Sequence, residues 1–256
     1  MPAPGVKLAD LTWVEAEPIL AAEPLVVLPL GAGSKEHGPH LRLDNDRFTV
    51  EYLAGRLRER LPIVVAPTIT YHFYPAFVEY PGSTSLRLET ARDLVVDICR
   101  SLAPFGPRRF YVLNYGVSTM RALAPAAELL AADGILLRYT VLSTLLGPLE
   151  APFLTQPEGT HADEGETSLM LAIAPERVNM ALAARDIGAV GSPLTRRPDT
   201  PGRYSPTGIY GDATLATRAK GEAILPLFLD ALAAEIDAVA RETVPGSTND
   251  EVRNTN

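Results

Sequence analysis

The chain has 256 residues, 46% of them hydrophobic, and a formal charge of −8 at pH 7. One soluble α/β domain with a large core is the simplest reading. An acidic balance argues against a nucleic-acid surface, which would be basic. The paired arginines Arg108-Arg109 and Arg196-Arg197 read as solvated surface. A single cysteine, Cys99, excludes an intrachain disulfide and a cysteine metal cluster, and its helical surroundings mark it as a buried apolar thiol. No run reaches the ~18 apolar residues of a membrane helix. The N-terminus has no basic segment followed by an apolar core. A cytoplasmic location is the expectation.

In chain order, Thr12 and Glu15 form a capping box that opens a short helix, with Pro18 expected to interrupt it. Leu25 to Leu30 reads as a buried strand. Asp46 to Arg60 has helical spacing, with Phe48 and Tyr52, then Leu53 and Leu57, four apart. Ile63 to Ala66 is a second strand, and Tyr71 to Ser85 an aromatic loop rich in turn residues. Glu89 to Leu102 reads as a helix and Phe110 to Leu113 as a strand. Ser118 or Thr119 is placed to cap a helix running to Ala131. A fourth strand is expected at Ile135 to Leu142. Helices alternating with short apolar strands predict βαβ units and a three-layer α/β/α fold with a mostly parallel sheet. Further on, Glu164 to Ile173 reads as a helix, Gly191 to Asp212 as a long functional or covering loop, and Ala213 to Arg241 as a long helix. We expect one domain over residues 1–242 and a polar, frayed tail over 243–256.

Chemistry concentrates in Leu28 to Asp46, which holds Lys35, Glu36, His37, His40, Asp44 and Asp46 just after a predicted strand. That is where α/β proteins build sites. A neutral imidazole and a carboxylate suit a borderline divalent ion such as zinc or manganese, so His37 and Asp46 are candidate ligands. Asp46 equally suits a helix N-cap.

Four segments resemble the creatininase family of amidohydrolases. They are the stretch from Gly33 through His37-Gly-Pro-His40 to Asp46, Phe77 to Leu86, His161 to Ser168, and Gly208 to Thr217. In the last, Ala213 stands where the family has proline. The resemblance implies a creatininase-like α/β/α fold and a homo-oligomer, a hexamer. It also implies hydrolysis of non-peptide C–N bonds in substrates such as creatinine, with mycofactocin precursor peptide and formylated pyrimidines also known in the family. It makes His37 and Asp46 metal ligands, with Asp46 able to bridge two ions.

Two departures alter that metal site. The family has Glu-x-His, and here Lys35 occupies the glutamate position. Glu36 falls between and points away in extended backbone unless a bulge near Gly33 returns it, in which case Glu36 is a third ligand. After the third strand, Gly116 stands where the family has a ligand histidine. One ion at most is therefore expected, zinc or manganese, with the second position lost. Lys35 is either a surface residue or an ammonium standing in the vacated place.

His161, Glu164 and Glu166 form a second constellation. The resemblance places His161 near the substrate and the glutamates at the metal site. His161 and Glu166 are the candidate acid–base groups, and Lys35 the third candidate catalytic residue. Alternatively, the glutamates simply favour a helix dipole. Tyr74, Asn114 and Ser118 are candidate substrate contacts. His40 reads as structural. His72 and Tyr74 either line a pocket or pack at a subunit contact. Trp13 is the only tryptophan and lies too early to close over a substrate, which argues against creatinine itself. No nucleophile elbow, phosphate loop or dinucleotide fingerprint is present. Two functions follow as expectations: an amidohydrolase for a small, possibly cyclic amide, or a metal-free relative acting as a ligand-binding or assembly module.

Overall fold

Five parallel strands carry the fold: β1 (Val6–Lys7), β2 (Leu25–Leu30), β3 (Val64–Val65), β4 (Arg109–Asn114) and β5 (Leu136–Tyr139), side by side in the order β1-β3-β2-β4-β5. They are seen in a computed structural model that describes residues 4–187 and 194–246. Every residue of β2 is buried, so both faces of the sheet need cover. Alternation along the strand assigns the faces. Leu25 and Val27 join Leu53 and Leu57 of α2 (Asn45–Arg58) and Phe228 and Leu232 of α8 (Arg218–Arg241). Val26, Leu28 and Leu30 join Val95 and Cys99 of α3 (Leu88–Leu102) and Leu123 and Leu130 of α4 (Met120–Ala132). The result is the expected three-layer α/β/α arrangement around a parallel sheet.

The strand order positions the site. From β2 the chain crosses to β3 on one side, then returns through α3 to β4 on the other. The connections therefore diverge at the carboxyl ends of β2 and β4, where Leu30 pairs in register with Asn114. A crevice opens at such a point. The segments 31–45 and 115–119 leave the sheet there.

Several elements differ from expectation for local reasons. Thr12 and Glu15 do form the capping box, yet α1 (Trp13–Ala21) runs through Pro18. The carbonyl that Pro18 leaves without a partner belongs to Val14, which is exposed and can bond water. The third strand is only Val64–Val65, and the fifth stops at Tyr139, followed by the short helices α5 (Leu142–Leu145) and α6 (Gly147–Glu150). The hydroxyl of Thr119 does not cap α4. It bonds the Asn114 side chain and the Gly116 carbonyl instead. The last helix begins at Arg218, because Ala216 and Thr217 are extended and Thr217 caps it through the Lys220 N–H. The helix α7 (Glu164–Ile173) has the expected bounds. The long loop contains two-residue strands at Leu194–Thr195, Arg203–Tyr204 and Gly211–Asp212. Residues 191–193 of that loop, and the tail from 247 onward, lie outside the described residues.

The helices α7 and α8 meet at Gly221. A Cβ there would sit 1.9 Å from the Ser168 carbonyl oxygen and 2.9 Å from the Ala172 Cβ. The Ser168 hydroxyl also accepts the Thr217 N–H at 3.1 Å. Backbone cannot yield to a methyl group as a side chain can. Gly221→Ala should therefore force the two helices apart and cost about 1–3 kcal/mol, the usual range for overpacking, despite alanine's better helix propensity. Thermal unfolding checks this, and an unchanged or raised Tm would contradict the tight contact.

Candidate active site

The chain leaves β2 at Gly31, whose position admits no side chain: a Cβ would lie 2.5 Å from the Asp46 carbonyl oxygen. This close approach lays residues 35–37 over the first turn of α2. The Gly33 N–H bonds the Thr70 carbonyl, and the Lys35 N–H bonds the Leu43 carbonyl, both at 3.0 Å. Asp46 lies in the first turn of α2 and is buried together with both of its partners. Its Oδ1 is 2.6 Å from His37 Nε2, and its Oδ2 is 2.7 Å from Lys35 Nζ. Lys35 and His37, two residues apart, thus reach one carboxylate. Lys35 is not a surface residue: it is 5% exposed, and its ammonium also faces the rings of Phe77 and Tyr74, at 4.9 and 5.8 Å from their centroids.

Charge in this cluster is compensated. Burial alone would raise the Asp46 pKa, but the charges and hydrogen bonds of His37 and Lys35 hold it well below the carboxylate range. Burial would lower the His37 pKa, yet Asp46 more than offsets that, so it ends raised. The Nδ1 of His37 faces the Lys35 carbonyl oxygen at 2.8 Å, an atom that can only accept. The proton of neutral His37 therefore sits on Nδ1, leaving a lone pair on Nε2 aimed at Asp46. Two lone pairs 2.6 Å apart require a proton between them, and an ion held by both groups would take that proton's place.

Glu36 turns the other way. Its carboxylate accepts the Gly38 N–H and meets His161 Nε2 at 3.1 Å. Burial would raise its pKa, but His161, His37 and the Gly38 N–H lower it on balance. The third donor beside His37 and Asp46 comes instead from Glu166: ligand atoms of His37, Asp46 and Glu166 lie within 4.8 Å of one another. Glu166 is held by Asn45 Nδ2 at 2.9 Å and by the Ala162 N–H at 2.7 Å. Neither Asn45 nor Ala162 stood out in the sequence. Asn45 was readable only as the neighbour of Asp46. Ala162 is buried with φ +48°, a conformation costly for a residue with a Cβ. That turn lets His161, in the segment before α7, and Glu166, in its first turn, face the same place. Glu164 faces elsewhere, bonded to Thr155, Gln156 and Lys220.

His161 has one ring nitrogen committed and one open. Its Nε2 lies 3.0 Å from the Glu36 carbonyl oxygen and 3.1 Å from the carboxylate, so Nε2 carries hydrogen. The free ring atom is Nδ1, 3.9 Å from Glu166 Oε2. The ring packs 4.4 Å from Phe77 and 5.2 Å from His37, centroid to centroid. Behind Glu166, Glu150 is raised to about 7 by burial and by the neighbouring Asp163 and Glu166 carboxylates. It falls in a stretch without a legible motif.

The three candidate substrate contacts differ. Asn114 spends its amide on the Gly116 and Thr140 carbonyls and accepts from Thr119, which shapes the turn after β4. Ser118 donates to the Phe73 carbonyl at 2.9 Å and ties the aromatic loop to that turn. Tyr74 is 1% exposed, and its hydroxyl has no partner among the described residues. His40 bonds Thr167 at 2.8 Å, and burial lowers its pKa to about 4, as it does for His72, which is buried inside the chain beneath the aromatic loop. The aromatic loop and the long loop are clipped to each other: Tyr80 donates to the Ser205 carbonyl, and Thr195 to Glu79.

These donors fit one divalent ion. His37 Nε2, Asp46 Oδ1 and Glu166 give an N,O,O set suited to zinc or manganese. The Lys35 carbonyl orients His37, and Asn45 holds Glu166. The other oxygen of Asp46 already faces an ammonium.

Comparison with known proteins shows the family. The creatinine amidohydrolase (Creatininase) family model matches residues 9–236. A creatinine amidohydrolase of Pseudomonas putida is 29% identical over 94% of this chain and 98% of its own. A mycofactocin precursor peptide peptidase of Mycolicibacterium smegmatis is 31% identical over 78% and 79%. Among solved structures, a manganese creatininase superposes with TM-score 0.79 at 28% identity, covering 93% of this chain and all of its own. A mutant creatininase of Zn–Zn type gives 0.78 at 28%, covering 94% of this chain and all of its own. The chain belongs to the creatininase family of amidohydrolases.

Proposed function

We propose that this chain hydrolyses the C–N bond of a small amide, with His161 and Glu36 as its acid–base pair and at most one divalent ion on His37, Asp46 and Glu166. The observation that carries the reading is the free Nδ1 of His161, which faces Glu166 beside the donor cluster. An ion on these donors would supply Lewis acidity at the scissile carbonyl. His161 Nδ1 takes a proton from the attacking water as its oxygen bonds to the carbonyl carbon. The imidazolium so formed is stabilised by Glu36 through Nε2–H. The same proton then passes to the amide nitrogen as the C–N bond breaks, which leaves a carboxylic acid and an amine. Phe77 and Tyr74 close one side of the site and limit water.

The relatives act on creatinine and on a peptide precursor by name, which leaves both a cyclic and a chain-terminal amide within reach. Trp13 lies exposed on α1, so the only tryptophan is no part of this site, which supports an amide other than creatinine. One observation favours the metal-free module instead: Lys35 already neutralises Asp46 without an ion.

Elemental analysis after dialysis should find at most one zinc or manganese ion per chain, and two retained ions would overturn this. Because an ion must displace the proton between His37 and Asp46, and that proton is held more tightly than on a free imidazole, zinc affinity should rise with pH from about 6 to 8. Calorimetry in buffers of different ionisation enthalpy should show proton release. A protein that binds no ion and shows no hydrolysis supports the module.

His161→Ala removes the proton carrier and Glu166→Gln a charged donor of the His37–Asp46–Glu166 cluster, and each should lower turnover by at least ~100-fold with the fold retained. Wild-type turnover in both places the chemistry elsewhere.

We also propose a homo-oligomer. Tyr71, Val78 and Val117 leave apolar side chains exposed at the edge of the aromatic loop and the β4–α4 turn, which supports self-association. Light scattering should give a mass above one chain, a hexamer by family likeness, and a monomer at micromolar concentration would count against it.

A further inference from the structure

Three hydrogen-bond donors near Asp46 lack acceptors. The Lys35 ammonium carries three N–H groups, and its one charged partner among the described residues is Asp46 Oδ2. Two N–H groups remain. The Tyr74 hydroxyl is the third, buried beyond solvent and without a partner. The two residues are neighbours, with Nζ 5.8 Å from the Tyr74 ring centroid. Burial first, and then the Asp46 charge, push the Tyr74 pKa well up, so the phenol keeps its proton. Phe77 covers the ammonium from another side at 4.9 Å. A buried donor left unpaired among the described residues, as the Tyr74 hydroxyl is, is costly, and a fold tolerates it where a ligand completes it.

We propose that Lys35 and Tyr74 form an acceptor-binding subsite that takes the oxygen of the substrate's scissile carbonyl and holds it as it becomes an oxyanion. The inference rests on the hydrolase reading and adds a residue pair to it. As the water oxygen bonds to the carbonyl carbon, the π electrons move onto the carbonyl oxygen. Lys35 N–H and Tyr74 O–H donate to that oxygen. When the C–N bond breaks, the electrons return and the carbonyl re-forms as part of a carboxyl group, so neither residue gains or loses a proton. The ammonium thus supplies, on the Oδ2 side of Asp46, the positive charge that a second ion would otherwise bring. The ligand class is a carbonyl or carboxylate oxygen.

Acetate is the probe, because it carries the acceptor of the product and needs no metal. Its binding to the metal-stripped full chain can be followed by NMR titration in wild type, Lys35→Met and Tyr74→Phe. Lys35→Met should weaken acetate roughly tenfold or more, the loss of a charged donor, and Tyr74→Phe about three- to tenfold. Tyr74→Phe should unfold at the wild-type temperature or higher, because it removes a hydroxyl that nothing in the fold serves. It therefore keeps the test open if Lys35→Met fails to fold. Equal acetate affinity in wild type and Tyr74→Phe, or no acetate binding by wild type, overturns the subsite. A lower Tm for Tyr74→Phe does so too, because the hydroxyl would then be paired inside the fold. Failure of the hydrolase reading shows separately, as absent turnover in a protein whose acetate binding still depends on both residues.

Discussion

A carboxylate buried between an imidazole and an ammonium organises the catalytic end of this sheet. Asp46 cannot stay charged at 1% exposure without partners, because the desolvation of a lone carboxylate exceeds what a fold supplies. Lys35 and His37 provide those partners from one short segment. Because they sit two residues apart and share one target, the residue between them is turned away. That residue is Glu36, and the turn sends its carboxylate to His161. One ion-paired carboxylate thus separates the segment into a side that faces Asp46 and a side that faces His161. Removing either partner would leave one Asp46 oxygen buried without its counterpart.

The scaffold matters because the partners come from distant parts of the chain. Asp46 belongs to the first turn of α2, His161 and Glu166 to the approach and start of α7, and Tyr74 and Phe77 to the loop after β3. The sheet fixes the first group through β2, where Gly31 permits backbone contact with Asp46. The helix α8 fixes the second, since α7 rests on it at Gly221. Ser118 and Tyr80 pin the aromatic loop from two directions. Each tie is a backbone approach that a glycine permits or a hydroxyl's hydrogen bond to a carbonyl.

How much could be read beforehand follows from which forces act locally. The strand β2 and the helix α7 were legible because continuous burial and helical spacing are properties of adjacent residues. The bounds of α8 were not, since its start depends on Thr217 reaching the Lys220 N–H and on extended backbone at Ala216. The two-residue strand β1 is recognised only through its pairing with β3. In the site, His37 and Asp46 share a motif, and the resemblance of that motif to the family's implied their closeness. Whether Glu36 or Glu166 stood beside them was not, because the answer lies in how residues 33–37 cross α2. The sequence permitted a surface lysine at position 35. Only the burial of Asp46, a tertiary fact, makes that ammonium an internal cation.

An ammonium beside Asp46 differs from a divalent ion in what it can do. A divalent ion can draw in several ligands at once and strongly acidify water, and it is lost to chelators and to acid. An ammonium brings one unit of charge and directed N–H groups, stays covalently attached, and coordinates no water. It can steady an oxyanion but cannot generate a nucleophile. On the proposed reading, the activation of water falls to the remaining donors and to His161, whose Nδ1 lies 3.9 Å from Glu166 Oε2. That division is consistent with the rest of the site. Glu36 and the Gly38 N–H lock the His161–Glu36 pair in one orientation, and Asn45 and Ala162 do the same for Glu166. Each of Glu36, His161 and Glu166 is thus fixed by two hydrogen bonds, which holds the geometry that the proposed proton transfer needs.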